Sequence, residues 1–500
     1  MLTTRLAVDS HKGFKAFSLL FSALVLSIMF IGSCSCAGKG GNKPSENADK
    51  NNLAANDCIV ATFTPESKNA FSYNSPTIVG DYLYIGTSTK MVSDKNPTGD
   101  LASLPSNFFY KMDLNLKPVW KYTLGASMCD GAASLDSMGN IYFVIMDFSV
   151  NPDPNSKGYF ALMSLCSLTS SGEFRWKKQI SAQGENWIHG MLNCAIGADD
   201  TIYVADSKLF AFKQDGTILW QYPQDDSRPI VNMRGSPVID AAGDVYFVSP
   251  EPTNSQYGSD VIRAYKFKGA GDGTPVWSVT LGNNVLLPEG GATYGGGRPE
   301  NWMYSSPAFS SGYKSLYAAV GNTISRIDTE TGKLLWSFMP EGVTGSFKAS
   351  PVVDGNDNVY IGSKSNADGT MFAIKADGSG LLWKKLIGAD LYPTPLLADD
   401  GLLYFGSETI ASGHFHAVDV KTGATVWGTG VGYYPMGDIS FCSPALYKGF
   451  IYVGGHQVAG GGDKLPEALF KIKVGAGGYM LNAAWPRFLG GNATNGRIGG

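Results

Sequence analysis

The sequence predicts an all-β fold, an eight-bladed β-propeller of four-stranded antiparallel blades. Three observations predict it. An aliphatic-tyrosine pair recurs eight times, a Ser/Thr-Pro step precedes six of these pairs, and each unit closes on a tryptophan. Self-similarity at a period of roughly 45 to 60 residues is the signature of a propeller or solenoid.

The pairs are Leu83-Tyr84, Ile141-Tyr142, Ile202-Tyr203, Val245-Tyr246, Leu316-Tyr317, Val359-Tyr360, Leu403-Tyr404 and Ile451-Tyr452. The Ser/Thr-Pro steps are Ser75-Pro76, Ser236-Pro237, Ser306-Pro307, Ser350-Pro351, Thr394-Pro395 and Ser443-Pro444; two units depart, with Ala132-Ala133 and Asn193-Cys194. The closing tryptophans are Trp120, Trp176, Trp220, Trp277, Trp336, Trp383, Trp427 and Trp485. Gly172, Gly216, Gly273, Gly332 and Gly423 each stand four residues before one of them, as a tight hairpin turn feeding a short strand requires. The sixth unit shows the blade: Ser350 to Asp354, Asn358 to Gly362, Met371 to Lys375 and Leu381 to Trp383 are four short strands joined by turns. One such sheet cannot bury its apolar face alone, so neighbours stack around an axis and the ring closes. A tryptophan in each wedge between sheets buries about 150 to 250 Å², a packing role. Two details of closure stay open. Cys58 to Thr64 is left over after eight units and is free to supply the last outer strand, and Trp485, seven residues after Gly478, can instead cap the ring with Pro486, Arg487 and Phe488.

Strings such as residues 350–383 and 394–427 resemble the repeat of pyrroloquinoline-quinone (PQQ) enzymes and of BamB-like outer-membrane lipoproteins, the quinoprotein superfamily. The resemblance spans nearly the whole mature chain. It implies the propeller but not a task, since the same repeat serves dehydrogenases and non-enzymatic scaffolds.

Residues 1–33 read as a secretory signal, with Arg5, Lys12 and Lys15 ahead of an uncharged run from Ala16 to Gly32 that is too short for a stable span. Ile31-Gly32-Ser33-Cys34 resembles a bacterial lipobox, which implies acylation of Cys34; ordinary cleavage leaving a free Cys34 is the alternative. Residues 34–57 form a polar tether, and 58–500 the propeller. The expected address is the bacterial cell envelope, lipid-anchored at the outer membrane. A net charge of −4 offers no basic footprint for nucleic acid. Of the later cysteines, Cys58, Cys129, Cys166, Cys194 and Cys442, at most two pairs can form. Cys129 and Cys194 should not bridge, because their offset from the repeat is about 13 Å along neighbouring strands.

Long insertions fall on one face of the disc, at 87–107, 147–158, 251–260, 281–304 and 455–466, whereas the turns of the other face are short. A decorated face over a plain one is the layout of a binding platform. There, Glu185-Asn186-Trp187 and Glu300-Asn301-Trp302 repeat a tripeptide just before two inner strands, with Arg234, Arg298, Tyr304, Tyr433, Tyr434 and Asp438 in comparable positions near the channel mouth. Arginine and aromatic side chains at a concave mouth mark protein or glycan hot spots. The structural reading of Trp187 and Trp302 is that they cover blade ends.

In the PQQ enzymes the quinone lies between a tryptophan and a ring formed by two adjacent cysteines, with calcium held by Glu, Asn and Asp. This chain has no adjacent cysteines and lacks those enzymes' long loops. His414 and His416 share a strand face, but no third metal ligand accompanies them and solvent-facing polarity is the expectation. No nucleophile elbow, zinc motif or phosphate loop appears, so no catalytic residue is assigned. The reading is a monomeric, non-enzymatic envelope scaffold without cofactor, BamB-like in outer-membrane protein assembly and partnered by envelope proteins. The alternatives are a glycan or peptide receptor on the loop face, and a PQQ- and calcium-dependent dehydrogenase.

Overall fold

The computed structural model describes residues 58–66, 71, 74–88, 106–150, 159–181, 192–230, 235–253, 259, 261–283, 305–341, 343, 345–364, 369–408, 415–427, 442–458, 464–480 and 482–491. Residues 1–57, where the signal and tether are expected, lie outside them. Among the described residues the only helical element is a 3-10 turn, Ser311–Tyr313.

Eight antiparallel sheets follow one another along the chain, and in seven the strands lie in sequence order. Blade 3 is the plainest: Ala195–Ile196, Ile202–Ala205, Leu209–Phe212 and Ile218–Tyr222, from the inner to the outer strand. Blade 6 gains a further short strand, Ser346–Phe347, paired on Ser363 and Lys364. Blade 8 breaks the order. Its inner three strands, Ala445–Tyr447, Phe450–Val458 and Lys464–Lys473, are completed by Ile59–Phe63 from the other end of the chain. The register Thr62 to Phe470 and Ala61 to Lys471 is antiparallel. The leftover apolar stretch at the N-terminus is therefore the last outer strand, and the two ends of the fold lock each other.

The recurrent residues explain how each blade is set. All eight tyrosines of the aliphatic-tyrosine pairs are buried. In blades 2, 4 and 6 the hydroxyl donates to Oδ2 of the aspartate that opens the first turn, Tyr142 to Asp136 at 2.8 Å, Tyr246 to Asp240 at 2.9 Å and Tyr360 to Asp354 at 3.0 Å. Oδ1 of the same aspartates accepts the backbone N–H groups two and four residues on, as from Asn356 at 2.8 Å and Asn358 at 2.9 Å. One carboxylate thus satisfies the turn and the buried phenol together, which a buried polar group requires.

The tryptophans bind each blade to the next. A Cβ placed on Gly172, Gly216, Gly332, Gly378 or Gly423 would fall 2.6 to 2.9 Å from the indole of Trp120, Trp176, Trp277, Trp336 or Trp383, respectively, the tryptophan of the preceding blade. These glycines have φ between +69° and +89°, so both the turn and the contact exclude a side chain. Five indole N–H groups donate to a backbone carbonyl of the neighbouring blade: Trp176 to Gln214, Trp220 to Gly269, Trp277 to Thr329, Trp336 to Ala376 and Trp383 to Val420, at 2.8 to 3.2 Å. Trp427 closes blade 7, edge-on to Tyr404 at 5.3 Å. Trp485 is structural but is not a wedge residue: its backbone pairs with Val353 of an inner strand, and blade 8 takes its outer strand from Ile59–Phe63.

Candidate functional site

The Ser/Thr-Pro steps form a hydrogen-bonded belt around the axis. The backbone N–H of Ser236 donates to Ser306 Oγ at 2.8 Å, Ser306 to Ser350 at 2.8 Å, Ser350 to Thr394 Oγ1 at 3.1 Å, Thr394 to Ser443 at 3.0 Å and Ser443 to Ser75 at 2.9 Å. The two departing units fit differently. Asn193 N–H donates to Ser236 at 3.1 Å, and the Asn193 side-chain oxygen accepts from Ala132 N–H, so the amide replaces the hydroxyl. Ala132 has nothing to offer Ser75, and the belt is open at that one link among the described residues. Each hydroxyl thus reaches across a blade boundary, at the head of the inner strand, where the connection from the preceding blade arrives.

On the plain face the chain's last described segment enters the ring. Asp399 accepts Gly477 and Gly478 N–H at 2.9 Å, so the tail crosses the first turn of blade 7. It then lies along the inner strands: Met480 N–H donates to Leu397 at 3.1 Å, Leu397 N–H to Pro486 at 2.8 Å, and Trp485 exchanges bonds with Val353 at 2.8 and 2.9 Å. The Trp485 ring meets Phe309 of blade 5 edge-on at 5.5 Å, while Arg487 reaches the Pro76 carbonyl of blade 1 at 3.4 Å. A segment that touches inner strands of blades 1, 5, 6 and 7 can only occupy the central channel. Trp485 and Arg487 are accordingly among the most deeply buried large side chains. The tail is a cap that enters the channel from its plain side.

A cleft of about 580 Å³ remains on the plain face beside the tail, lined by Asn356, Leu382, Asp399, Lys421, Met480 and Asn482 among others.

The predicted site residues Trp187, Arg234, Arg298, Glu300, Trp302, Tyr304, Tyr433, Tyr434 and Asp438 lie outside the described residues, as do Glu185, Asn186 and Cys34. Their stretches run in sequence directly into belt positions, at Asn193, Ser236, Ser306 and Ser443. The belt is the blade-to-blade geometry that sequence reasoning missed. Its signal was present, since Ser/Thr-Pro recurs at one position of the repeat, but the bond it makes is to the next repeat.

The described residues carry no activated nucleophile. Cys58, Cys129, Cys166, Cys194 and Cys442 are all unpaired and buried. Burial pushes the thiols of Cys166, Cys194 and Cys442 up to about 12 and that of Cys129 well above its usual value, so they stay protonated. His416 is not solvent-facing: it is buried, stacked on Phe405 at 5.0 Å and bonded to Ser407 Oγ at 2.9 Å. His414 lies outside the described residues. Among the described residues no three His, Cys, Asp or Glu side chains converge as metal ligands. Nor do the cysteines fit a quinone pocket's two-cysteine ring, since Cys129 packs against Gly86, Cys194 is bonded to the Tyr142 carbonyl and Cys442 accepts from Gly454 N–H.

These features define a class, an all-β eight-bladed propeller of four-stranded antiparallel blades. A family model described as outer membrane protein assembly factor BamB matches residues 341–429, the span of blades 6 and 7. BamB from Moraxella catarrhalis superposes with a TM-score of 0.53 at 15% identity, covering 83% of this chain and 99% of that one. The quinohemoprotein alcohol dehydrogenase ADHIIG from Pseudomonas putida HK5 gives 0.54 at 14% identity, covering 84% and 76%. No curated protein sequence matches the chain. At these identities the likeness is one of fold, and it holds for a scaffold and for an enzyme alike.

Proposed function

We propose that the chain is a lipid-anchored, non-enzymatic scaffold of the bacterial envelope, holding protein partners on its loop-bearing mouth in the manner of an outer-membrane assembly factor. The observation that carries this reading is the tail in the channel: the chain's own segment from Gly477 to Trp485 enters the ring from the plain face, which favours the opposite face, where the sequence carries its long insertions, as the docking face. Protonated, buried thiols and the misfit to a two-cysteine quinone ring favour a scaffold over a dehydrogenase. The match of residues 341–429 to the BamB family supports the same direction. The lipobox-like Cys34 supports the anchor and the envelope address.

Photocrosslinkers placed at Trp187 and Trp302 in the native envelope test the reading, alongside palmitate labelling of the wild type and Cys34→Ala. Adducts with a barrel-assembly component, and label lost in the variant, are expected. Adducts with cell-wall or exopolysaccharide material instead would establish the receptor reading. Dye reduction by the chain after loading with PQQ and calcium would establish the enzyme.

A further inference from the structure

The chain enters its propeller on the plain face. In blade 8 the first turn, Lys448 and Gly449, and the end of the third strand, at Lys473, lie on that face, and the Cys58 carbonyl accepts Lys473 N–H at 2.7 Å. The outer strand Ile59–Phe63 runs on from there, so residues 1–57 join the ring at the plain-face rim of blade 8. Blade 1 continues the same surface, since Lys448 Nζ meets Asp81 at 2.8 Å across the seam.

This rim differs in charge from the rest of the face. Blades 1 to 7 each carry at least one Asp or Glu in their plain-face turns, whereas blade 8 has Lys448 and Lys473 there and no carboxylate among the described residues; Asp57, next in sequence, lies outside them. Lys473 and Lys117 of blade 1 are exposed and have no carboxylate partner among the described residues, and the Lys448–Asp81 pair is itself largely exposed and so only loosely held. Aromatic rings lie among these lysines. Lys448 Nζ is 4.9 Å from the Tyr447 ring, Lys471 Nζ 4.2 Å from Phe450 and Lys111 Nζ 4.1 Å from Tyr82, which is 40% exposed. Tyrosine beside lysine suits a lipid–water boundary, because the ring body is apolar, the hydroxyl stays wet and the ammonium reaches phosphate. Anionic headgroups repel the acidic turns of the other blades and leave this rim as the part of the face that can approach.

We infer that the plain-face rim of blades 8 and 1 is a lipid-facing surface that rests on anionic phospholipid headgroups and tilts the disc onto that rim. The inference rests on the lipid-anchored reading for its strength. A chain as long as residues 34–57 spans roughly 25 to 30 Å, so an acylated Cys34 would hold the rim near the headgroups at an effective concentration of about millimolar. At that concentration a patch of a few lysines and tyrosines is enough to choose which part of the ring meets the membrane.

The test places a photocrosslinker at Tyr82 or Tyr447, and for comparison at Asp215 or Ala242 on the plain face of blades 3 and 4, in the full chain in its native envelope. Phospholipid adducts are counted by mass spectrometry, and palmitate labelling is read on the same preparations. Adducts at Tyr82 and Tyr447 should exceed those at Asp215 and Ala242 several-fold. Lys448→Glu combined with Lys473→Glu should reduce them by at least about fivefold, the effect of one lysine near an anionic surface, with an unchanged urea midpoint. Equal adducts at all four positions, or protein adducts in place of lipid at Tyr82 and Tyr447, overturn the inference. In a palmitate-labelled chain either result leaves the anchor standing. Lipid adducts confined to Tyr82 and Tyr447 in a chain without palmitate would keep this surface and remove the anchor, and the absence of both label and adducts would remove both.

Discussion

Replacing Ser350 by alanine tests the belt directly. Ser350 Oγ is the acceptor for Ser306 N–H at 2.8 Å, and both residues are buried. The substitution removes one hydroxyl, leaves the strand register intact and orphans a backbone donor that water cannot reach. A buried group left unsatisfied costs about 1 to 3 kcal/mol, whereas the packing lost with one oxygen is small. The same logic runs backwards at the open link. Ala132 faces Ser75 across the seam of blades 1 and 2 without an acceptor, so Ala132→Ser should stabilise by about 0.5 to 1.5 kcal/mol, the net value of a typical hydrogen bond. Urea unfolding followed by tryptophan fluorescence, with equal slopes for all variants, gives both numbers. Ser350→Ala without a measurable loss, or Ala132→Ser as destabilising as Ser350→Ala, would refute the belt as the element that joins blade to blade.

Three further outcomes follow from the packing and the charges. Trp383→Ala should cost about 3 to 5 kcal/mol, and Trp336→Ala a similar amount, because each empties a wedge and abandons an indole bond; unchanged denaturation midpoints would contradict this. Cys129, Cys166, Cys194 and Cys442 should react with a thiol reagent at pH 8 only as fast as the fold opens, since burial keeps them protonated; rapid native-state labelling of Cys194 or Cys442 would be the contrary result. Asp215, Asp272 and Asp377 are held below the ordinary 3.8 by the backbone N–H two residues on, and Asp328 by the Thr331 hydroxyl. Depressed carboxyls stabilise the fold above their unfolded value and lose that contribution as pH falls through the folded one. The urea midpoint should therefore decline below about pH 4, and Asp377→Asn should flatten the decline slightly.

The sequence was most legible where a residue's role repeats within its own blade. Tyrosine, turn aspartate, glycine and tryptophan recur because every blade must fill the same wedge and close the same hairpin. The belt was less legible, since the partner of each Ser or Thr stands a whole blade away and the hydroxyl alone does not name it. Trp485 completes the count of closing tryptophans, but its spacing of seven from Gly478 leaves a cap open as well. Its place in the channel follows from the outer strand of blade 8 being supplied by Ile59–Phe63, a pairing between opposite ends of the chain that no local period encodes. His416 was misjudged for a different reason: alternation marks a solvent face only where one side of a strand is wet, and Phe415–Asp419 is buried on both faces between blades. The mouth residues, from Trp187 to Asp438, fall in the connections between blades, where length and composition do not repeat and periodicity carries no information about geometry.

Closure of the ring is tested most directly by hydrogen–deuterium exchange of the mature chain, read at the amides of Ile59–Phe63. Strand pairing with Lys464–Lys473 predicts slow exchange at the ladder-bonded amides of this segment, lost in step with those of blade 8 as urea is raised. Exchange at the rate of an unstructured peptide, while blade 8 stays protected, would show that the N-terminal strand does not close the propeller.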